Sequence, residues 1–254
     1  MTTQSKPEYE GIIAETVSFP GHNGDVINGY VARPLGPGPY PGVVLIMEAF
    51  GLVTHTKEQA RKFAAAGYAT ITPDLYSREG PVDPADMRAV MAAMGGNPDS
   101  QAIGDLEGAA GYLKALPVCS GKIGAIGHCS GGRHTVLFAC NTSSLSAAVD
   151  CYGGRVIQDE LTEAMPVAVI DMIERLSCPL LGLFGAEDAN PNPKHVARLD
   201  AELKKHNKTY EFHSYENAGH GFFADYRPSY RVEAANDGWN KIFIWFDKYL
   251  KVDG

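Results

Sequence analysis

The sequence predicts an α/β fold in which a mostly parallel sheet of about eight strands carries helices on both faces. Strand patterns and helical patterns alternate along most of the chain. Four of the predicted strands are continuously apolar, as strands covered on both faces are. Because strand–helix–strand crossovers are right-handed, this alternation predicts parallel neighbours with helices on both sides.

Two segments with alternating side chains, 11–19 and 26–34, flank the turn sequence GHNGD and predict an antiparallel hairpin at the sheet edge. Six further strands are predicted at 41–47, 68–73, 122–127, 145–150, 178–184 and 209–215. Helical patterns between them predict helices at 57–67, 84–94, 99–116, 131–141, 193–206 and 233–251. Functional residues of such sheets lie just beyond the carboxyl ends of the strands.

Length and composition favour one domain over residues 1–254, monomeric or in a small homo-oligomer. The net charge of -8 and the lack of Lys/Arg runs argue against nucleic acid or a membrane as partner and favour a small molecule. The N-terminus is polar and acidic, and no apolar run approaches the ~18 residues of a membrane span. A cytoplasmic location is therefore expected.

The five cysteines are odd in number and scattered, without a C-x-x-C pair, which predicts free thiols and no zinc site. They are Cys119, Cys129, Cys140, Cys151 and Cys178. Four lie in apolar stretches or beside turns and are expected to behave as small hydrophobes, whereas the context of Cys129 differs.

Cys129 lies in GHCSGGR, between an apolar strand and a helix. Gly127, Cys129 and Gly131 fit the G-x-nucleophile-x-G turn, which exposes its central side chain at a helix N-terminus that stabilises a thiolate. Ser130 is a competing nucleophile in the same turn. The alternative is a glycine motif for helix packing that happens to contain a buried cysteine.

His220 is the candidate base, because it lies between glycines a few residues beyond the last strand. His128 adjoins Cys129, but neighbouring side chains in a turn diverge, so local packing is expected for it. Asp188 follows strand 178–184 by a short turn and is the candidate acid, with Asp150 as runner-up. The alternatives are a solvated loop histidine for His220 and a turn residue bonded to its own backbone for Asp188.

Glu48 ends the apolar run VVLIM, where a carboxylate is costly unless it is paired or functional. Its loop would supply a second oxyanion N–H, that of Ala49, beside the one of Ser130. A helix cap or a salt bridge is the alternative for Glu48.

The chain resembles the dienelactone hydrolase family, which has the α/β-hydrolase fold. The resemblance spans about residues 40–250 and rests on five motifs in order: MEAFG (47–51), TPDLYSR (72–78), IGHCSGGR (126–133), FGAEDANPNP (184–193) and YENAGHGFF (215–223). It implies hydrolysis of an enol-lactone, carboxymethylenebutenolide, to maleylacetate through a thioester, with no metal or organic cofactor. It also implies roles for six residues: a triad of Cys129, Asp188 and His220, a carboxylate at Glu48 that assists the thiol, and oxyanion donors at Ala49 and Ser130.

The same resemblance implies that Arg78 contacts a substrate carboxylate. The second arginine expected four residues after the histidine is absent, since Ala224 stands there and the nearest cation is Arg227. Arg133 could supply charge or pair with an acid, and Tyr152 could line the pocket or pack in the core.

Three functions therefore remain as hypotheses. The first is hydrolysis of a carboxylated enol-lactone, and the second, favoured by the missing arginine, is a broader carboxylesterase or thioesterase of the same family. The third is a redox-responsive protein with Cys129 as sensor, which retention of the full set of site residues argues against. Whether residues 77–100 form a lid stays open.

Overall fold

The computed structural model describes residues 11–251, and within them the chain forms one eight-stranded sheet flanked by six α-helices. The strands are β1 (Ile12–Pro20), β2 (Val26–Pro34), β3 (Tyr40–Ile46), β4 (Ala69–Pro73), β5 (Cys119–His128), β6 (Ala147–Cys151), β7 (Leu180–Gly185) and β8 (Tyr210–Tyr215). The helices are α1 (Thr54–Ala65), α2 (Met87–Gly96), α3 (Asp99–Ala115), α4 (Ser130–Asn141), α5 (Pro193–Lys205) and α6 (Val232–Leu250).

The strand order is β1-β2-β4-β3-β5-β6-β7-β8, with β1, β2 and β4 joined antiparallel and every later pairing parallel. The edge hairpin and the mostly parallel sheet predicted from the sequence are confirmed. In the central register Ile46 pairs with Gly127, and Gly127 pairs with Asp150. The loops after β3, β5 and β6 therefore leave the sheet at the same edge.

Helices cover both faces of the sheet, as the continuously apolar strands predict. One apolar core joins the sheet to α3, α4 and α5, with Leu113 and Val136 fully buried. The other joins the opposite face to α1 and α6, with Phe63 and Phe246 fully buried. Because both faces are sealed, only the edge at the strand ends is left for a site.

Most observed boundaries differ from the predicted ones by one to three residues, and two of the larger shifts have a clear cause. β5 begins at Cys119 rather than 122, because the strand continues to pair with Tyr40 of β3. α2 begins at Met87 rather than 84, because the Asp86 side chain accepts the Arg88 and Ala89 N–H groups and caps the helix there. A 3-10 segment at Val169–Arg175 was not predicted.

In the part of the chain from 11 to 251, no helix has the length and apolar character needed to cross a membrane. The prediction of a single domain over residues 1–254 stays a prediction.

Candidate active site

Cys129 occupies a strained turn between β5 and α4, with φ 56° and ψ -122°. Such a conformation costs a non-glycine residue about 1–3 kcal/mol and persists only where the surroundings impose it. A Cβ on Gly127 would lie 2.2 Å from the Gly131 carbonyl group, and one on Gly131 would lie 2.5 Å from the Ile46 carbonyl oxygen. The two glycines therefore let α4 approach the sheet closely, which holds Cys129 at the helix N-terminus.

Asp188 and His220 lie on the loops after β7 and β8. The Asp188 carboxylate is almost fully buried and lies 2.8 Å from His220 Nδ1, measured from Oδ2. Its other oxygen accepts the Asn190 N–H at 2.8 Å. The backbone ties the two loops together, because the Glu187 N–H donates to the Ala218 carbonyl at 2.9 Å.

His220 and Cys129 line the same cavity, and the Cys129 side chain acts electrostatically on the imidazole. Burial alone would lower the pKa of His220, but the hydrogen bond to Asp188 and the interaction with the Cys129 side chain outweigh it and raise that pKa to about 10. The structure thus brings the three predicted residues into one chain of contacts, from a buried carboxylate through an imidazole to a thiol.

Asp150, the other candidate acid, is fully buried, and burial raises its pKa to about 7. Its Oδ1 accepts the Gly153 N–H at 2.7 Å, and the same oxygen lies against Gly132. The carboxylate bonded to His220 is that of Asp188. Asp150 instead holds the loop after β6 against the start of α4.

His128 is buried and turned away from the cavity, as expected for a neighbour of Cys129. Its ring contacts Tyr152, Phe223 and Trp239. Burial among these rings lowers its pKa to about 3, so the imidazole is neutral at physiological pH.

A cavity of about 440 Å³ opens at the carboxyl ends of the strands, within the range of about 300–1,000 Å³ typical of small-molecule sites. Its lining includes the six residues with implied catalytic roles: Glu48, Ala49, Cys129, Ser130, Asp188 and His220. Ser130 is the first residue of α4, where N–H groups have no partner within the helix.

Arg78 lies outside this lining. Its Nη1 is 2.8 Å from Asp105 Oδ2, its Nη2 is 3.0 Å from Asp105 Oδ1, and its Nε is 2.7 Å from Asp25 Oδ2. The Asp105 side chain is completely buried, so these hydrogen bonds raise the pKa of Arg78 and fix its guanidinium. The structure thus pairs Arg78 with Asp105, and the contact of Arg78 with a substrate stays a prediction.

Arg133 lines the cavity but is also paired. It forms a buried bidentate salt bridge with Asp99, with distances of 2.6 and 2.9 Å, and its Nε donates to the Arg155 carbonyl at 3.3 Å. Asp99 neutralises the charge of Arg133. Of the two alternatives raised for Arg133, the structure shows pairing with an acid.

Tyr152 is fully buried and is not part of the lining. Its ring packs edge-on against His220 with centroids 5.1 Å apart, and it contacts Phe222 and Phe223. The packing alternative therefore holds for Tyr152, which supports the imidazole from behind.

Arg227, the cation nearest in sequence to Ala224, lines the cavity. Its Nη2 lies 3.5 Å from Glu48 Oε2, and its guanidinium lies over the rings of Phe50 and Tyr226, at 4.4 and 4.9 Å from the centroids. Ala224 is fully buried. The cation of the cavity lining thus stands three positions later in sequence than the family pattern expects.

Sequence reasoning missed two features of the lining. Arg155 is exposed at the cavity, with φ 63°, and its place depends on the turn after β6, which no local pattern marked. Five methionines also line the cavity, and the spacing of three of them on α2 was visible in the sequence.

Between residues 11 and 251, no three His, Cys, Asp or Glu side chains cluster so that they could hold a metal ion. That the reaction needs neither metal nor organic cofactor stays a prediction.

Comparison with known proteins agrees with this architecture. A family model described as the dienelactone hydrolase family matches residues 27–250. A candidate carboxymethylenebutenolidase of Methylorubrum extorquens is 36% identical over 94% of this chain and 82% of its own length, and one of Escherichia coli strain K12 is 36% identical over 94% and 89%. The crystal structure of a candidate dienelactone hydrolase from Klebsiella pneumoniae is 35% identical, with a TM-score of 0.88 over 94% of this chain and 100% of that one.

The match therefore spans both the sheet and every loop that carries a site residue. With its α/β-hydrolase fold, the chain belongs to the dienelactone hydrolase family, a family of hydrolases.

Proposed function

We propose that the protein hydrolyses a lactone or ester through a thioester acyl-enzyme on Cys129. The observation that carries the proposal is the chain of contacts from Asp188 through His220 to Cys129 in the strained turn at the start of α4. A thiol in this position has a base within reach, a helix N-terminus beneath it and a cavity above it.

In the first step the Cys129 thiolate attacks the carbonyl carbon of the substrate, and a C–S bond forms as the carbonyl electrons move to oxygen. The backbone N–H groups of Ala49 and Ser130 donate to that oxyanion. The C–O bond to the leaving group then breaks, and the imidazolium of His220 protonates the departing oxygen.

In the second step His220 takes a proton from water, and the resulting hydroxide attacks the thioester carbonyl. The C–S bond breaks and the carboxylic acid product leaves with the thiolate restored. Asp188 holds the imidazole through Nδ1 in both steps and stabilises its charged form.

Glu48 is proposed to assist the thiol when substrate enters. It is almost fully buried in the same cavity, and its contact is with Arg227 at 3.5 Å, which is long for a charge-assisted hydrogen bond. A substrate carboxylate that attracted Arg227 would leave Glu48 without its cation. The freed carboxylate would then take the proton of the Cys129 thiol and return it to the thiolate that the second step restores.

The preferred substrate on this reading is a carboxylated enol-lactone, carboxymethylenebutenolide, with Arg227 in place of Arg78 as the partner of the carboxylate. The specific observation that favours the broader esterase or thioesterase is the engagement of Arg78 and Arg133 by Asp105 and Asp99. Two of the cations expected to select an anionic substrate are thereby neutralised.

The test is a hydrolysis panel of dienelactone isomers, aryl esters and acyl thioesters on wild type, Cys129→Ala and Cys119→Ala. Cys119 is a half-buried thiol at the start of β5, away from the cavity, and serves as the matched control. Cys129→Ala is expected to lose at least about 10³-fold in kcat, as a missing nucleophile does, while Cys119→Ala stays within about twofold of wild type.

Full activity of Cys129→Ala would overturn the nucleophile assignment. Equal turnover of neutral aryl esters and anionic lactones would favour the broader esterase over the lactonase. A wild type that hydrolyses nothing while Cys129 oxidises readily would favour the sensor.

A further inference from the structure

The substrate cavity is lined on one side by sulfur-containing apolar side chains. The chain has seven methionines, and five of them contact this cavity. They are Met47, Met87, Met91, Met94 and Met165. Methionine is flexible and polarizable, so surfaces rich in it adapt to apolar ligands of different shapes.

Three of these residues form a stripe on α2. Met87, Met91 and Met94 are spaced four and three residues apart, which places them on one face of the helix. Met94 packs against the apolar core of the sheet, while Met87 is 54% and Met91 is 48% exposed. The stripe therefore runs from the core to open space along the cavity.

Met165 continues this surface from the loop between β6 and β7. That loop is fixed to the start of α3, because the Asp99 N–H donates to the Ala164 carbonyl at 2.8 Å. The Asp99 side chain is in turn held by Arg133 on α4. The salt bridge thus helps to fix the loop that carries Met165. We call Met87, Met91, Met94 and Met165 the methionine wall.

The wall leaves two large apolar side chains half exposed beside the candidate nucleophile. Cys129, Met87 and Met91 line the same cavity, so an apolar group attached to a bound ester carbonyl would meet the wall rather than water. The cavity is also in the size range that holds a drug-sized ligand, at about 440 Å³.

We propose that the methionine wall binds an extended apolar group of the substrate, so that the protein prefers esters with a long or bulky apolar part over small ones. Of the two candidate activities, this preference favours the broader esterase over hydrolysis of the small anionic enol-lactone. This inference rests on the proposed hydrolytic function, since it names the substrate class of the same site. The wall acts on binding and leaves the bond-breaking steps at Cys129 unchanged.

The test compares p-nitrophenyl acetate with p-nitrophenyl octanoate, and 1-naphthyl acetate with phenyl acetate, whose leaving groups are similar, on wild type and the double variant Met87→Gln/Met91→Gln. The first pair lengthens the acyl part and the second enlarges the alcohol part, so the two pairs show which part contacts the wall. Glutamine keeps the length and helix propensity of methionine but adds a polar amide. Arg88→Gln, an exposed position on the same helix outside the lining, is the matched control, and Met87→Leu/Met91→Leu is the conservative variant.

The glutamine variant is expected to lose about tenfold in kcat/KM for the apolar member of at least one pair, mainly through KM, and less than about twofold for the small esters. The leucine variant should keep at least about half of wild-type kcat/KM, and Arg88→Gln should match wild type. Equal loss on large and small esters, or a wild type without preference for the large ones, would overturn the inference.

A binding measurement separates this inference from the proposed function. Methyl octyl ketone cannot be hydrolysed, and its dissociation constant by calorimetry is expected to rise about tenfold in the glutamine variant. An unchanged constant would overturn the wall even if Cys129 is the nucleophile. A raised constant together with a fully active Cys129→Ala would support the wall and refute the acyl-enzyme.

Discussion

His220 has a different partner on each side of its ring. Asp188 bonds to Nδ1, and the Cys129 side chain interacts electrostatically with the ring, which lies in the same cavity as the thiol. Asp188 is itself fixed by the Asn190 N–H, which leaves the imidazole little freedom to rotate. Geometry of this kind is what a base that serves two successive steps requires.

Replacing Asp188 by Asn is expected to lower kcat/KM by about 10²–10⁴-fold, because the amide cannot stabilise the imidazolium. The pKa of His220, which Asp188 helps to raise, should fall in the same variant, as measured by the NMR titration of the ring. Glu187→Gln, on the neighbouring carboxylate, is the control and should keep wild-type values. An Asp188→Asn variant with unchanged rate would assign the acid elsewhere, with Asp150 next to be tested.

The three residues Cys129, Asp188 and His220 could be predicted from the sequence better than the arginines around them. Cys129, Asp188 and His220 each follow a strand, and strand ends can be located from apolar runs. The role of Arg78 could not be read in this way, because its partner Asp105 lies 27 positions away on α3. The contact of Arg227 with Glu48 was equally hidden, because it depends on the path of the loop after β8.

The turn between β5 and α4 is the element on which the site depends most. At Gly131 the helix lies against the backbone of β3 and its following residue, with the Ile46 and Met47 carbonyl oxygens 2.5 and 2.7 Å from where a Cβ would stand. Backbone atoms cannot move aside as a flexible side chain can. A side chain there would push α4, and with it Cys129, away from the sheet.

Gly131→Ala is therefore expected to lower the free energy of unfolding by about 1–3 kcal/mol, as overpacking does, and to reduce activity at least tenfold. Gly111→Ala on α3 is the opposite case, because nothing lies within 4 Å of its Cβ position. That variant should gain about 0.5–1 kcal/mol from better helix propensity and keep full activity. Urea unfolding and initial rates check both, and a Gly131→Ala variant as stable and active as wild type would refute the close approach.

At the scale of elements, the order and type of strands and helices were predictable and their ends were less so. Apolar runs together with alternating side-chain patterns located all eight strands, but the extension of β5 to Cys119 depends on pairing with Tyr40, a contact that no local pattern reveals. The start of α2 was marked in the sequence by Asp86, whose capping side chain fixes the boundary at Met87. The stripe of Met87, Met91 and Met94 was visible as helical spacing, while the cavity beside it was not.

Over the whole molecule, two apolar cores on opposite faces of the sheet leave several titratable groups in buried positions. His128 is the clearest case, with an exposed fraction of 1% and a pKa lowered to about 3 from an ordinary value of 6.5. The pKa of Asp150 is shifted in the opposite direction, because burial raises it to about 7. Comparing the stability of a variant of one group with that of wild type at each pH separates the contribution of that group from the contribution of the other.

Because His128 is neutral in the folded protein but protonates in the unfolded chain below pH 6.5, its contribution to stability is present above that pH. The contribution is lost as the pH falls toward about 3. His128→Leu removes this dependence, so its free energy of unfolding relative to wild type should rise by about 1.5 kcal/mol between pH 6.5 and about pH 5. Urea unfolding at the two pH values measures the change, and a difference independent of pH would contradict the neutral buried imidazole.

Intact-protein mass spectrometry after a rapid acid quench tests the proposed thioester on Cys129 most directly. Wild type mixed with an excess of p-nitrophenyl ester should gain the mass of one acyl group, located on Cys129 by peptide mapping, while Cys129→Ala gains none. The acyl group should disappear once the ester is consumed, as hydrolysis releases the acid. An acyl group located on Ser130 would contradict the account. So would the absence of any adduct during steady turnover of an ester that acylates the enzyme faster than the acyl-enzyme is hydrolysed.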